Sequence, residues 1–198
     1  MKLEIWFEFA STYSYLSISR IESLLKKAEM EYVWRPFLLG PILQDRGMET
    51  SPFVLDQLRG AYMWRDMERR AKQYNLEFTR PTVFPMNGLR AARIMTAALN
   101  EPWCGNFARS VFEAQFAHGA DISNEDILRA ALKECGVDPV HWLNLAQQVE
   151  TKDKLRSFTD QARNIGIFGA PSFMVGGELF WGDDRLEDAI AWVSVTTH

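Results

Sequence analysis

The sequence predicts an α/β protein in which one mixed sheet carries helices and is interrupted by a long all-helical insert. Three observations predict this. The N-terminal stretch reads strand, helix, strand; the C-terminal stretch reads strand, strand, helix; and everything from about Phe53 to about Asn164 shows helical periodicity alone. With 198 residues, 47% of them hydrophobic, the chain can close one well-packed core, alone or with an inserted subdomain.

In the first strand, Leu3, Ile5, Phe7 and Phe9 alternate with Glu4, Trp6 and Glu8. Tyr15, Ile18, Ile21, Leu24 and Leu25 then recur at helical spacing, so a helix starts close to Ser11, with Ser11 or Ser14 as its cap. The next alternating run, Glu31 to Phe37, closes on Pro36 and the punctuation Leu38-Leu39-Gly40-Pro41. A strand-helix-strand unit of this kind is parallel and right-handed, which puts the loop holding Ser11 at the carboxyl edge of the sheet.

The helical region has its own stops and starts. Ser51 caps a helix with Pro52 at its first position, which runs to Tyr74 with a break expected at Gly60. Further helices are expected over Gly88 to Leu99 and Trp103 to His118. Another follows the capping-box-like Ser123-Asn124-Glu125-Asp126, and two more run from Asp138-Pro139 to Val149 and from Asp153 to Asn164. Strand grammar returns at Ser172 to Val175 and Glu178 to Trp181, joined by Gly176-Gly177 as a two-residue hairpin turn. Asp183 or Asp184 caps a closing helix with Leu186, Ala189, Ile190 and Val193 facing inward.

Composition excludes several functions. A net charge of −4 with cations dispersed among anions gives no basic face for nucleic acid or anionic membrane. Neither a leader pattern nor an apolar run of spanning length is present, so a cytoplasmic protein is expected. Cys104 and Cys135 are far apart and lack metal-ligand spacing, which argues against a metal site. His118, His141 and His198 have no nucleophile or ligand spaced to them and read as structural or solvated.

Three motifs carry a resemblance. Phe7-Glu8-Phe9-Ala10-Ser11-Thr12-Tyr13-Ser14-Tyr15-Leu16, Gly166-Ile167-Phe168-Gly169-Ala170-Pro171-Ser172-Phe173 and Phe180-Trp181-Gly182-Asp183-Asp184-Arg185-Leu186 stand in order near the two ends of the chain. Together with the element order, they resemble the 2-hydroxychromene-2-carboxylate isomerase family of the DsbA-like and kappa-class glutathione transferase superfamily. The resemblance implies a thioredoxin-like mixed sheet formed by residues 1–40 and 165–198, with 41–164 as the helical insertion. It also implies glutathione as cofactor, an aromatic 2-oxo acid as substrate in aromatic catabolism, and a homodimer.

Disulfide-handling members of this fold hold C-x-x-C where this chain has Ser11-Thr12-Tyr13-Ser14. Thiol-disulfide exchange needs an attacking thiolate, so a DsbA-type oxidant is not expected. A hydroxyl at a helix N-terminus instead suits a thiolate brought by another molecule, because both favour the charged form. The resemblance assigns that sulfur to glutathione and the catalytic donor to Ser11, flanked by Thr12 and Tyr13. It expects a cis Pro171 that presents the Ala170 backbone to an extended peptide. Asp183 and Asp184 are expected at the γ-glutamyl end, where a helix N-terminus offers donors to a carboxylate and the aspartates accept from an ammonium. Glu49 stands where the family carries an asparagine, and a carboxylate there would repel an anionic substrate. Arg65, like Arg35 and Arg90, is a candidate carboxylate binder. The alternatives are a kappa-like transferase or peroxidase and a non-catalytic thioredoxin-fold binding protein.

Overall fold

The computed structural model describes residues 2–196 of the chain. Strand β1 (Leu3–Phe7) leads through helix α1 (Thr12–Lys27) to β2 (Tyr32–Pro36). Eight helices follow: α2 (Leu39–Asp45), α3 (Pro52–Leu55), α4 (Gln57–Gln73), α5 (Leu89–Ala97), α6 (Cys104–Phe116), α7 (Glu125–Glu134), α8 (Pro139–Leu145) and α9 (Val149–Asn164). The chain then forms β3 (Ser172–Val175), β4 (Glu178–Trp181), a single 3₁₀ turn at Asp183–Arg185 and α10 (Leu186–Thr196).

The sheet order is β2-β1-β3-β4, with β1 parallel to β2 and antiparallel to β3, and β3 antiparallel to β4. It follows that β1, β2 and β4 all point the same way. Their carboxyl ends, together with the start of β3, bring four chain segments to one edge: the Ser11 loop, the β2–α2 junction, the Ala170-Pro171 segment and the turn after Trp181. The β3–β4 turn is the expected hairpin, with φ of +60° at Gly176 and +86° at Gly177, a pair of angles that matches the twist of the strands and that glycine adopts at little cost.

One continuous core runs from the sheet into the inserted helices. Phe7 and Phe9 on the first strand and its exit contact Phe112 of α6, and Phe112 stacks with Phe116. All four rings are fully buried, each contributing on the order of 2–3 kcal/mol of apolar transfer. The alternation in β1 predicts Trp6 on a polar face, but Trp6 is 1% exposed and meets Phe37 and Phe158 edge-on in a second cluster that includes Ile42, Ala162 and Ile167. Helices α2 and α9 cover that face, so the central strand β1 is buried on both sides.

Some helix boundaries differ from the sequence expectation. The break between α3 and α4 comes at Asp56, whose carboxylate caps α4 by accepting from the amides of Leu58 and Arg59. Gly60 lies inside α4, and a Cβ there would come within 2.2 Å of the Phe53 carbonyl, so the glycine allows α3 to fold tightly against α4. Asn124, not Ser123, caps α7. Helix α8 stops at Leu145 and α9 begins at Val149. Helix α2 replaces an expected loop, since Pro41 falls in its first turn, where a missing amide hydrogen costs nothing.

Candidate active site at the carboxyl edge of the sheet

Ser11 sits at the edge where the four segments meet. It is the N-cap of α1, with φ −83° and ψ 120°. Its Oγ accepts from the Ser14 amide at 3.1 Å and donates to the Ala170 carbonyl at 2.8 Å. The Ala170–Pro171 peptide is cis, as the resemblance predicts, and the Pro171 carbonyl accepts from the Gly182 amide at 3.0 Å. The loop after β1, the start of β3 and the turn after β4 are thereby tied together. The Ala170 amide has no acceptor among the described residues.

The neighbours of Ser11 anchor the loop to α4. Thr12, 2% exposed, turns its hydroxyl to the Met63 sulfur at 3.3 Å. Tyr13 donates to the Asp66 carboxylate at 3.0 Å and its ring lies against Phe53. Burial, then the Asp66 charge, pushes the Tyr13 phenol up, so it stays protonated. Ser14 is fully buried, and its hydroxyl has no partner among the described residues.

The two aspartates after β4 have opposite surroundings. Asp183 is 1% exposed and accepts from Ser17 at 2.8 Å and Arg20 at 2.9 Å on one oxygen and from Arg70 at 2.6 Å on the other. Arg20 also pairs with Glu187 and lies over the Tyr74 ring. Burial works to lower the Arg20 guanidinium, and the bonds to Glu187 and Asp183 outweigh it and raise it. Asp183 therefore knits α1, α4 and the 3₁₀ turn together, and its carboxylate oxygens are taken up by these partners. Asp184 stays open, with its side chain 51% exposed and paired only to Arg185 at 3.0 Å. Its carboxylate leans over Gly182, where φ is +108° and a Cβ would fall 2.6 Å from Asp184 Oδ1.

Family membership follows from the whole chain. A family model described as DSBA-like thioredoxin domain matches residues 2–190. The chain belongs to the DsbA-like thioredoxin family. It is 24% identical to a 2-hydroxychromene-2-carboxylate isomerase of Sphingobium xenophagum, over 93% of this chain and 94% of that protein. It is 23% identical to glutathione S-transferase kappa 1 of Rattus norvegicus, over 93% and 87%. Among solved structures, a 2-hydroxychromene-2-carboxylate isomerase superposes with a TM-score of 0.89 at 20% identity, covering 100% of this chain and 98% of that one.

This DsbA-like chain has no thiol at the Ser11 corner. Cys104, at the start of α6, packs near Glu22, roughly 16 Å along α1 from Ser11 at the helical rise. Burial, then the Glu22 charge, pushes its thiol up to about 11, which keeps it neutral and unreactive near pH 7. Cys135 is also free, and burial raises its thiol too. Among the described residues no group of three or more His, Cys, Asp or Glu could hold a metal. His118 and His141 are exposed on the surface, and His198 lies outside the described residues.

Two candidates are not brought to the corner by any contact. Glu49 is exposed in the α2–α3 connection without a hydrogen bond or ion pair among the described residues. Arg65 points to solvent from α4 and pairs with Glu68 at 2.6 Å. Arg35 pairs with Glu4 and lies over Phe158, and Arg90 pairs with Glu125. A surface cleft of about 670 Å³ lies at the opposite, amino edge among Leu24, Glu29, Met30, Glu31, Glu187 and Ile190, with acidic side chains and no nucleophile.

Sequence reasoning missed Glu8. Its backbone carbonyl accepts from the Ser11 amide at 3.0 Å, and the amide of Leu39, the first residue of α2, lies close enough to its carboxyl to favour the charged form. Leu38, the α2 N-cap, supplies no side-chain acceptor to the first turn of that helix. Burial outweighs the Leu39 amide and pushes Glu8 up to about 7. The available signal was an acidic residue directly after the first strand, three positions before Ser11.

Proposed function

We propose that the protein is a glutathione-dependent isomerase of the 2-hydroxychromene-2-carboxylate type. It would interconvert a cyclic hemiketal and an unsaturated aromatic 2-oxo acid in aromatic catabolism, as a cytoplasmic homodimer. The observation that carries this reading is the hydroxyl of Ser11 at a helix N-terminus, 2.8 Å from the Ala170 carbonyl beside a cis proline, in a corner without a protein thiol.

The residues present fit glutathione on their own chemistry. Ala170 offers an amide without a partner among the described residues and a half-buried carbonyl, the donor and acceptor an extended peptide needs. Asp184 offers an exposed carboxylate to an ammonium next to that segment. Ser11, with the first amides of α1, favours a thiolate over a thiol. Glutathione held by these residues would supply a thiolate nucleophile able to add reversibly to a conjugated double bond and so permit rotation about it.

Ser11 has one proton to give, and in this structure it goes to Ala170. A peptide amide docking on the same carbonyl competes for it and frees the hydroxyl to donate elsewhere, while the Ser14 amide keeps Oγ in place. Thr12 and Tyr13 hold the loop from behind, through Met63 and Asp66, and need not touch the ligand.

The test is calorimetric titration with glutathione, followed by turnover of a 2-hydroxychromene carboxylate by parent protein and Ser11→Ala. Binding with a loss of turnover in the variant is expected; full glutathione-dependent turnover in the variant sinks the reading. A conjugation assay with an aryl halide, run in parallel, separates isomerase from kappa-like transferase. Absence of glutathione binding removes both and leaves a non-catalytic binding protein.

A further inference from the structure

Beside the Ala170 corner lies a surface feature without a task so far. Phe168 and Trp181 are 39% and 50% exposed, and their rings lie 4.7 Å apart at an angle of 58°. The Arg46 guanidinium is 5.7 Å from the Phe168 ring centre. Three separate segments supply the three residues. Arg46 ends α2, Phe168 belongs to the α9–β3 loop and Trp181 closes β4.

The position of this group is fixed by backbone. A Cβ on Gly169 would lie 2.2 Å from the Trp181 indole nitrogen, so the indole rests against the peptide just before Ala170. Phe168 precedes Ala170 by two residues, so their Cα atoms are at most roughly 7 Å apart. The aromatic pair thus borders the carbonyl that Ser11 contacts.

Charge around Arg46 favours an anion. Arg46 is exposed and forms no ion pair among the described residues. The carboxylate next to it in sequence, Asp45, is bound by Arg163 at 2.6 Å, and Arg163 also holds Asp160 at 2.5 Å. An unpaired guanidinium recognises a carboxylate through two parallel hydrogen bonds, and two exposed rings at an angle present a face and an edge to a planar aryl group.

We propose that Phe168, Trp181 and Arg46 form the shelf that receives a carboxylated aromatic substrate, with its aryl group on the two rings and its carboxylate toward Arg46. The assignment rests on the isomerase reading above and adds the location and polarity of its substrate subsite. It accounts for two large aromatic side chains left partly in water next to the proposed thiolate position.

The experiment measures binding directly, with benzylidenepyruvate as the acid, benzylideneacetone as its neutral counterpart, and glutathione titrated separately. Trp181→Ala and Phe168→Ala are expected to weaken benzylidenepyruvate about tenfold each, and Trp181→Phe to restore most of it. Arg46→Met is expected to weaken the acid about tenfold and leave the neutral ketone unchanged. Glutathione affinity should stay within about twofold throughout. Unchanged affinity for the acid in the alanine variants overturns the shelf, as does a parallel loss for glutathione, which would give the rings to the tripeptide. Dissociation of a dimer by the same variants in sedimentation would give them to an interface and overturn it too. A parent protein that binds the acid but not glutathione would refute the cofactor and leave the shelf standing, so the two failures are distinct.

Discussion

Helix α1 serves two regions within its first three turns, and they differ in kind. Its cap, Ser11, offers a neutral hydroxyl at an open edge, where the donor is shared with the Ala170 carbonyl and can be redirected. Two turns further on, Ser17 and Arg20 join Arg70 in saturating a carboxylate that has no access to solvent. The same contrast separates Asp183 from Asp184, adjacent in sequence and opposite in surroundings. A polar group with every valence satisfied internally stabilises one arrangement, whereas a group with a replaceable partner can exchange it for a ligand.

The contrast can be broken most severely at Asp183. Asp183→Ala strands two arginines around a buried void, and a loss of about 4 kcal/mol in urea unfolding is expected; a loss below about 1 kcal/mol would mean that the cluster is dispensable. Ser11→Ala should do the reverse, lowering isomerase kcat/KM about 100-fold, the scale of a lost donor to developing charge, while costing only about 1 kcal/mol of stability as a lost cap. Activity and melting measurements on the one variant check both halves.

Glu8 bears on the same edge through pH. Its folded value of about 7 lies above the ordinary 4.5, so the native state holds this proton more tightly than the unfolded chain does. The resulting penalty is absent below about 4.5, grows between the two values and is complete above 7. The shift converts to at most about 3 kcal/mol, and partial exposure reduces that to about 2 kcal/mol. Glu8→Gln, a neutral group of nearly the same shape, should be more stable than the parent by about 2 kcal/mol above pH 7. Its advantage should vanish near pH 4.5; equal stability of the two proteins at pH 8 would contradict this. The smallest expected effect is at the open aspartate: Asp184→Asn should weaken glutathione about tenfold in calorimetry with no change in melting.

Features set by neighbours in sequence were legible before the structure. A serine at the handover from alternating to helical spacing became a cap, and two glycines between short strands became the hairpin turn. The resemblance supplied the cis Pro171. What sequence could not separate was Asp183 from Asp184, because the arginines that claim Asp183 arrive from positions 163 and 113 residues away. Gly60 was misread for a similar reason. Its local meaning is a broken helix, and only the carbonyl of Phe53 folding back onto it shows why a side chain is forbidden there. Trp6 shows the limit of alternation, since period two marks one buried face and says nothing of helices that cover the other.

Because β3 runs against β1, the exposed turn at Gly176 and Gly177 projects from the edge of the sheet opposite Ser11. A short epitope or fluorescent tag spliced between those glycines would sit a full strand length from the chemistry, giving a handle for immobilisation or single-molecule observation that leaves ligand access untouched.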